Sequence, residues 1–326
     1  MESVRPLISV CVPTYNQESE IRQALNGILS QKDVNIEIII ANDGSTDRTH
    51  DVCMEYLNKY PSVIKYINQK YNKGIIKNTE DCLMAATGKY IAICEGDDYW
   101  IYDYKLRDQC ALMESDEEIS MSHTNWVNLY QESNTFEKVK FEDTNYICER
   151  EEGLNSFDEI YQSKYRGIRF SSTVFRSEIF HTIIKSHPAF FNPSFSTVDL
   201  GLFLCMAYYG KIAYRDKPTT VYRVHNGSVS VNTNPLKQNR YALGVINIQA
   251  YFANEFNYPQ KLIEKRIEPS LAGVLGYSIK YRDIATAKEL WNIKQKYNLS
   301  LSIKRYIGLQ LAKRRLTSKI FGMINK

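Results

Sequence analysis

Apolar and polar positions along the first hundred residues follow two periodicities, one typical of buried strands and one typical of amphipathic helices. Short apolar runs predict strands at LISVCVP, IEIIIAND, VIKYIN and KYIAICEGDD. Between them, apolar residues at helical spacing predict helices in ESEIRQALNGILSQ, STDRTHDVCMEYLNKY and NTEDCLMAATG. Strands that alternate with helices at this pitch predict an α/β fold with a mostly parallel sheet and right-handed crossovers.

The pattern changes further along the chain, and this change predicts the domain organisation. The strand-like segments RFSSTVFR and TTVYRVH flank a helix-like VDLGLFLCMAYYG, and after residue 235 the periodicity is helical throughout. We therefore expect one domain over residues 1–232, with halves 1–115 and 116–232, followed by a helical C-terminal region over 233–326.

Polar residues follow each of the predicted N-terminal strands: PTYN after the first, NDGSTD after the second, NQKYNKG after the third and EGDD after the fourth. Any one of these stretches is also an ordinary turn sequence. In a parallel sheet, however, the carboxyl ends of the strands share one edge, which is where such sheets bind ligands. Together the polar stretches predict a binding site at that edge.

Composition narrows the class of protein. The chain of 326 residues is 44% hydrophobic and 24% charged, as is usual for a folded globular protein, and its net charge of +4 does not indicate nucleic acid as a partner. Its seven cysteines are widely spaced without any Cys-x-x-Cys, which favours free thiols in a reducing compartment over a disulfide framework. We find no signal peptide and no run of about 18 apolar residues, so we expect a cytoplasmic protein.

The last stretch of the chain, residues 301–326, contains seven Lys or Arg and no acidic residue. Ile303, Ile307, Leu311 and Leu316 lie near one side of the helix that this segment predicts. A basic amphipathic helix can lie on an anionic membrane surface, which would make the protein peripheral on the inner face of the plasma membrane. The alternative is a solvated helix that caps the C-terminal region.

The stretch CEGDDYW brings three carboxylates together, because Glu95, Asp97 and Asp98 fall within four positions. Neighbouring carboxylates raise one another's pKa unless a cation or solvent relieves the repulsion. Mg²⁺ and Mn²⁺ prefer oxygen ligands. Carboxylates of the protein can supply some of these ligands, and the oxygens of a diphosphate can supply others. A divalent metal site and an acidic surface loop both fit this stretch.

Four motifs in this order, ISVCVPTYNQESEIRQALNGILSQ, EIIIANDGSTDRT, NKGIIKN and GKYIAICEGDDYW, resemble the inverting family 2 glycosyltransferases with the GT-A fold. The resemblance is close over residues 7–110 and looser up to residue 230. It implies transfer of a sugar from a nucleotide-diphosphate sugar, UDP-linked by preference, to a saccharide or lipid-linked saccharide, with Mn²⁺ or Mg²⁺ as cofactor. A place in bacterial surface-polysaccharide synthesis is implied in the same way.

The resemblance also implies roles for single residues of the first two loops. Asp43 would hydrogen-bond the uracil edge, and Asn42 departs from the acidic residue that is usual at that position. The first loop would surround the base and ribose through Pro13, Thr14, Tyr15 and Asn16. Tyr15 would otherwise be a core aromatic at a turn, and NDGS is also a good turn and helix-capping sequence.

For the third and fourth loops, the resemblance assigns Gly74, Lys77, Glu95 and Gly96 to the nucleotide and Asp97 to the metal. Gly74 permits close backbone approach, whereas Lys77 is either a cation near the nucleotide or a solvated helix residue. Glu95 replaces the usual aspartate and is expected to face the ribose, or the metal through water.

Three residues of the second half complete the predicted site. His225 in YRVH resembles a histidine that some members place on the metal or diphosphate, and a structural histidine is the alternative. Arg223 would meet phosphate charge or pack at the core edge. Asp199 matches the family's catalytic base, with Val198 in place of the usual acidic partner; otherwise Asp199 only caps its helix.

Other classes of protein fit the sequence less well. A nucleotidyltransferase would need a Gly-rich phosphate loop that VPTYNQE lacks, and a dinucleotide oxidoreductase would need a G-x-G-x-x-G after the first strand. A non-enzymatic alternative is a catalytically degenerate GT-A protein that acts as a binding or scaffold subunit. Glu95 and Val198 are the departures that favour it.

Overall fold

The structure, a computed structural model, describes residues 5–139, 146–148, 155–162, 167–225 and 234–299. The chain divides into two compact units. The first comprises Met1–Pro193 and Leu202–His225, and the second comprises Ser194–Gly201 and Asn226–Lys326. The predicted boundary at 232/233 and the basic segment 301–326 lie outside the described residues, so both stay predictions.

The N-terminal part of the first unit alternates strands and helices, as the periodicity predicts. Its elements are β1 (Leu7–Thr14), α1 (Ile21–Leu29), β2 (Asn35–Asn42), α2 (Thr49–Lys59), β3 (Ile64–Asn68), α3 (Ile75–Met84) and β4 (Tyr90–Ile93).

The remainder of this unit is less regular. Its elements are β5 (Tyr99–Trp100), α4 (Lys105–Ser115), β6 (Ile119–Tyr130), β7 (Thr135–Lys138), β8 (Tyr146–Cys148), α5 (Asn155–Tyr161), a 3₁₀ helix (Phe170–Ser172), β9 (Val174–Arg176), α6 (Ser177–Ser186), α7 (Asp199–Tyr209) and β10 (Lys211–Val224). Helix α7 begins within the segment that belongs to the second unit.

The described strands form one mixed sheet in the order β3-β2-β1-β4-β9-β6-β10-β5, with β7 paired to β6 and β8 paired to β10. Strands β1 to β4 are parallel to one another, as predicted, and β10 is parallel to β6, whereas β9 runs antiparallel to both β4 and β6. Thr14 is in register with Asn42, and Asn42 with Asn68. The carboxyl ends of the first three strands therefore lie side by side.

The core explains why the first strands are almost continuously apolar. Val10, Val12, Ile38 and Ile40 are all fully buried, and helix α1 covers them with Leu25 and Ile28 on its buried side. A parallel strand that carries helices on both faces of its sheet has no side exposed to water, so both sets of alternating side chains must be apolar. The predicted α/β class is confirmed.

The prediction of a strand over RFSSTVFR is wrong for its first half. Residues Phe170–Ser172 form a 3₁₀ helix, and only Val174–Arg176 pair as a strand. The hydroxyl of Ser172 donates to the carbonyl of Arg169 at 2.8 Å, and the hydroxyl of Thr173 donates to the carbonyl of Phe170 at 2.7 Å. Hydroxyls that bond nearby carbonyls in this way give the backbone an alternative to a strand ladder.

The second unit is helical in its described part, as predicted, and consists of α8 (Pro235–Glu255), α9 (Gln260–Tyr281) and α10 (Ile284–Lys296) together with the segment Ser194–Gly201. Asn234 caps α8 by accepting the backbone N–H of Leu236 at 2.9 Å, one residue before a proline at the first helical position. Among the described helices, we find none that is both long and apolar enough to cross a membrane.

Candidate active site

Backbone and carboxylate hydrogen bonds tie the loops after β1, β2, β3 and β4 to one another. The N–H of Asp43 donates to the carbonyl of Thr14 at 3.0 Å, and the N–H of Gly96 donates to the carbonyl of Pro13 at 3.1 Å. The carboxylate of Asp43 accepts the N–H groups of Lys73 at 2.7 Å and Gly74 at 2.9 Å. The polar stretches that the sequence grouped therefore form one continuous surface at the strand ends.

The first loop docks on the second through Asn16, which has a left-handed backbone with φ 52°. Its N–H donates to the Ser45 hydroxyl at 2.9 Å, and its side-chain oxygen accepts the N–H of Thr46 at 2.8 Å. Asparagine tolerates this conformation better than most residues because its short side chain bonds locally. The adjacent Tyr15 is 42% exposed, so its ring is not a core aromatic and is accessible to a stacking partner.

Asn42 stands where the family resemblance predicts an acidic residue, and its contacts explain the amide. Its side-chain nitrogen donates to the Tyr66 hydroxyl and to the side-chain oxygen of Asn68, both at 3.0 Å. Its side-chain oxygen accepts the backbone N–H of Ser45 at 3.3 Å. An ionised carboxylate has no hydrogen to donate. Asn42 thus organises the loop, and Asp43 is the carboxylate that remains for a ligand.

Burial raises the pKa of Asp43, although its two backbone N–H partners act in the opposite direction. Each carboxylate oxygen has more than one acceptor position, so both oxygens can still accept a further hydrogen bond from a ligand. The role of Asp43 in binding uracil stays a prediction, and its geometry permits that role.

Lys77 lies in ion pairs on its own helix. Its ammonium is 2.9 Å from Glu80 and 3.4 Å from Asp81, and Asp81 also pairs with Lys73 at 2.9 Å. These contacts favour the solvated helix residue over the nucleotide-binding cation. Gly74, which precedes this helix with φ 88°, has open space where a side chain would begin, consistent with close backbone approach by a ligand.

The acidic residues of CEGDDYW have different surroundings. Asp97 lies with its Oδ2 3.4 Å from Nε2 of His225, and this contact raises the pKa of the imidazole. Asp98 is buried and accepts the backbone N–H of Arg223 at 3.0 Å. Burial, followed by the charge of Asp97, raises the pKa of Asp98 to about 8. Asp98 therefore anchors the loop to β10, whereas Asp97 is half-buried beside the histidine.

Arg223 fixes the same loop from the other side. Its guanidinium donates to the backbone carbonyl of Asp97 and to the side-chain oxygen of Gln23, and it lies 4.8 Å from the centroid of the Tyr99 ring. Of the two roles left open for Arg223, the contacts show the packing role. Gln23 had no signal in the sequence, because an isolated glutamine on a helix is indistinguishable from a surface residue.

The start of the loop is held by Ser171, which the sequence also did not identify. The N–H of Glu95 donates to the Ser171 hydroxyl at 3.0 Å, and that hydroxyl lies 3.4 Å from a Glu95 carboxylate oxygen. Gly96 passes so close to Thr14 that a Cβ atom there would lie 2.7 Å from the threonine hydroxyl. Glu95 is thus held by the 3₁₀ helix, Gly96 by the end of β1 and Asp97 by β10.

The residues around Asp97 fit a divalent cation that takes some of its ligands from the protein and the others from a substrate. In the part of the chain that the structure describes, no group of three or more His, Cys, Asp or Glu side chains is arranged to hold a metal. Asp97 and His225 supply one carboxylate oxygen and one imidazole nitrogen. Mn²⁺ and Mg²⁺ accept such donors and complete their coordination with phosphate oxygens and water.

Asp199 is the first residue of α7. Its Oδ1 accepts the N–H of Leu200 at 2.6 Å and the hydroxyl of Thr197. The helix dipole favours a negative charge at this end, so Asp199 has the helix-capping role that the sequence offered as an alternative. The role of Asp199 as general base stays a prediction.

Comparison with known proteins identifies the family. The model of glycosyl transferase family 2 matches residues 9–177. The chain belongs to this family.

Relatives within family 2 differ in how much of the chain they cover. A β-1,3-glucosyltransferase of Escherichia coli, WfaP, is 31% identical over 232 residues, which are 69% of this chain and 80% of that protein. The putative glycosyltransferase EpsE of Bacillus subtilis is 38% identical over 33% of this chain and 39% of its own length. An uncharacterised protein of Mycobacterium bovis is 44% identical, but the chain covers only 30% of its length.

Solved glycosyltransferases have the same fold at low identity. TarS of S. aureus, residues 1–349 in complex with UDP, superposes with a TM-score of 0.57 at 17% identity, covering 94% of this chain and 91% of that one. A mannosyltransferase of Pyrobaculum calidifontis in complex with GDP-Man and Mn²⁺ gives a TM-score of 0.50 at 13% identity, covering 99% and 89%. The predicted GT-A fold is confirmed.

Proposed function

We propose that this family 2 protein is a metal-dependent, inverting glycosyltransferase that moves a sugar from a UDP-sugar to a saccharide or lipid-linked saccharide. The observation that carries the proposal is the Asp97–His225 pair, with 3.4 Å between carboxylate oxygen and imidazole nitrogen. Asp97 lies on the loop whose Gly96 is hydrogen-bonded to the first strand end, beside the loop of Asp43, and His225 directly follows β10.

On the donor side, Tyr15 would stack on the base and Asp43 would accept a hydrogen bond from uracil. Asp97 and His225 would hold Mn²⁺ or Mg²⁺, which neutralises charge on the leaving diphosphate. Arg223 and Asp98 keep the loop of Asp97 in place through the contacts described above, so these residues position the donor site without touching the donor.

On the acceptor side, Asp199 would act as general base. Its carboxylate would accept the proton of the acceptor hydroxyl while that oxygen attacks the anomeric carbon from the face opposite the diphosphate. The bond between the anomeric carbon and the diphosphate oxygen breaks, and the configuration inverts. Support for this role comes from the position of Asp199 in the family pattern, at the N-terminal end of α7.

The nature of the substrates is supported by relatives. The name of the E. coli protein gives a UDP-linked glucose donor, an α-D-GlcNAc-diphosphoundecaprenol acceptor and a β-1,3 linkage. We infer a UDP-hexose or UDP-N-acetylhexosamine donor and a lipid-linked acceptor in surface-polysaccharide synthesis. An acceptor of this kind would place the enzyme at the inner face of the plasma membrane, with residues 301–326 as the segment that contacts anionic lipid.

Calorimetric titration of UDP with and without Mn²⁺ tests the donor site. We expect wild-type protein to bind UDP more tightly with Mn²⁺, and Asp97→Asn to lose the metal-dependent gain because the amide is a poor ligand for a hard cation. Asp51→Asn removes the same charge from an exposed helix position and should behave as wild type. Metal-independent binding in wild type, or an unaffected Asp97→Asn variant, would contradict the assignment.

Measuring the turnover of a UDP-sugar distinguishes two hypotheses, that the protein is an enzyme and that it is a catalytically degenerate binding subunit. With UDP-glucose and a short-chain GlcNAc-diphosphate lipid, or with water as acceptor, Asp199→Asn should lower the rate by about 10²–10⁴-fold and leave UDP affinity unchanged. Metal-dependent UDP binding without turnover of any UDP-sugar, by wild type, would favour the binding subunit.

A further inference from the structure

One arginine of the first unit lies against two aromatic rings, and its buried Nε donor has no acceptor among the described residues. The central guanidinium carbon of Arg169 lies 4.1 Å from the centroid of the Tyr222 ring and 5.0 Å from that of Trp126. Trp126 on β6 is in register with Thr220 on β10, so Tyr222, two residues further, lies on the same face of the sheet. We call these three side chains the Arg169 stack.

The Arg169 stack differs from the other stacked arginines in the described part of the chain. Arg22 and Arg107 pair with carboxylates, and Arg176 and Arg223 donate to carbonyl groups. In contrast, the Nε–H of Arg169 is buried with no acceptor, and no described carboxylate pairs with this guanidinium. A buried donor of a charged group is costly to leave unsatisfied, which indicates a missing partner.

The chemistry of that partner follows from the guanidinium. Its planar N–H groups match the geometry of a phosphate or carboxylate, and stacking on aromatic faces fixes the plane in advance. Burial of Nε strengthens a bond to a charged acceptor more than one to a neutral hydroxyl. An oxyanion is therefore the ligand class that best completes the Arg169 stack.

The location of the stack relates it to the proposed site. Ser171, two residues after Arg169, bonds Glu95, and its carbonyl accepts the Thr220 hydroxyl at 3.2 Å. Arg223, which contacts Asp97, alternates with Tyr222 along β10, so the stack lies on the face of the strand opposite Arg223. The stack is beside the acidic loop but is not on the face that would hold the metal and donor diphosphate.

We propose that Arg169 binds an oxyanion of the acceptor, either the phosphate of a lipid-linked saccharide or the carboxylate of an acidic sugar. The proposal rests on the proposed function for its choice of the acceptor as the source of the anion. Trp126 and Tyr222 hold the guanidinium, and Arg169 contributes to acceptor binding without contacting the donor.

Calorimetry with protein saturated by UDP and Mn²⁺ tests the proposal, because the donor site is then filled. The probes are butyl diphosphate and methyl glucuronide, titrated separately so that binding of one or the other distinguishes phosphate from carboxylate. We expect one of them to bind wild type, and Arg169→Met to weaken that binding about tenfold or more through loss of a charged hydrogen-bond donor. Arg169→Lys, which keeps charge without the planar fork, should fall between.

Lys217→Met is the matched control, because Lys217 is another cation of this unit stacked on a ring, 3.3 Å from the Tyr102 centroid. It should bind the probe as wild type does. Absence of binding by wild type at millimolar probe, or equal weakening by Lys217→Met, would overturn the proposal. Absence of probe binding by wild type overturns the proposal even if Arg169→Met fails to fold.

Titration of UDP and Mn²⁺ in the same variants separates the two proposals. UDP affinity should be unchanged in Arg169→Met; a loss there would mean that Arg169 binds the donor diphosphate and would overturn the acceptor assignment. Failure of wild type to bind UDP would overturn the proposed function, while Arg169-dependent binding of the probe would still establish the oxyanion site.

Discussion

At the scale of single residues, neighbouring carboxylates of the acidic loop have separate tasks. Asp98 is buried and bonded to the backbone of β10, whereas Asp97 faces the imidazole of His225. Burial, followed by the charge of the adjacent Asp97, raises the pKa of Asp98, which favours the neutral form of this carboxyl. The repulsion expected from the sequence is thus reduced by burial of one member.

Gly96→Ala tests how closely this loop must fit. An added methyl group would meet the Gln17 side-chain oxygen and lie 2.7 Å from the Thr14 hydroxyl, so the Gln17 side chain must turn away and the loop must shift from the first strand end. We expect UDP–Mn²⁺ affinity, measured by calorimetry, to fall about tenfold, the effect of a small displacement of a preorganised site.

Gly273→Ala is the control for that variant, since nothing lies within 4 Å of a Cβ atom at this helical position. It should bind UDP as wild type does and raise the free energy of unfolding by about 0.5–1 kcal/mol, because alanine is the better helix former. Unchanged UDP affinity in Gly96→Ala would show that the loop accommodates the methyl group.

At the scale of elements, helix α8 holds the segment that leads into the proposed base. The Ser196 hydroxyl donates to the carbonyl of Tyr241 at 2.7 Å, and the Phe195 ring packs against Phe252 of the same helix. Gly244 allows this approach, because a Cβ atom there would lie 2.7 Å from the backbone nitrogen of Ser196. The helix thereby fixes the backbone a few residues before Asp199.

Gly244→Ala should therefore displace the segment of Asp199 while leaving the donor loops intact. We expect the turnover of UDP-glucose to fall about tenfold or more, since small misplacements of a catalytic group are costly, with UDP–Mn²⁺ affinity unchanged. Steady-state rates and calorimetry on the same preparation measure the two effects. A variant with full turnover would show that α8 does not position the base.

At the scale of the whole molecule, the interior of the first unit contains a buried lysine. The ammonium of Lys105 donates to the Gln109 side chain at 2.7 Å and to the carbonyl of Ser172 at 3.2 Å, and it lies 4.6 Å from the Trp100 ring centroid. Burial lowers the pKa of Lys105 to about 7. The core is therefore stabilised most when this amine is neutral.

Stability should depend on pH through Lys105 in a defined window. Between pH 7 and the unfolded pKa of about 10.4 the unfolded chain binds a proton at Lys105 that the folded chain does not, so stability rises with pH there. The free energy of unfolding of wild type relative to Lys105→Met should rise by about 1.4 kcal/mol per pH unit in this window and stay level below it. Urea denaturation of both proteins at several pH values measures this difference. If the free energies of unfolding of wild type and Lys105→Met changed equally with pH, the prediction would be contradicted.

Local patterns in the sequence are sufficient to predict the strands of the parallel sheet, the loops that follow them and the helical second unit. Runs such as IEIIIAND are apolar because both faces of a parallel strand are buried, and their register brings Thr14, Asn42 and Asn68 to one edge. The loops of the candidate site follow from that pattern, whereas the resemblance to the family rests on the residues of the four ordered motifs. The helical second unit follows in the same way from its periodicity.

The residues that hold the site together are distant in sequence, and the folded chain brings them into contact. Arg223 donates hydrogen bonds to Asp97 and Gln23, and Arg169 contacts Trp126 on β6 and Tyr222 on β10. These residues are far apart in sequence, and the order of strands in the sheet brings them together. Periodicity reports which side of an element is buried, but not which element covers it. The contacts of Arg223 with the loop of Asp97 and the unsatisfied Nε of Arg169 are therefore properties of the folded chain, not of any local stretch.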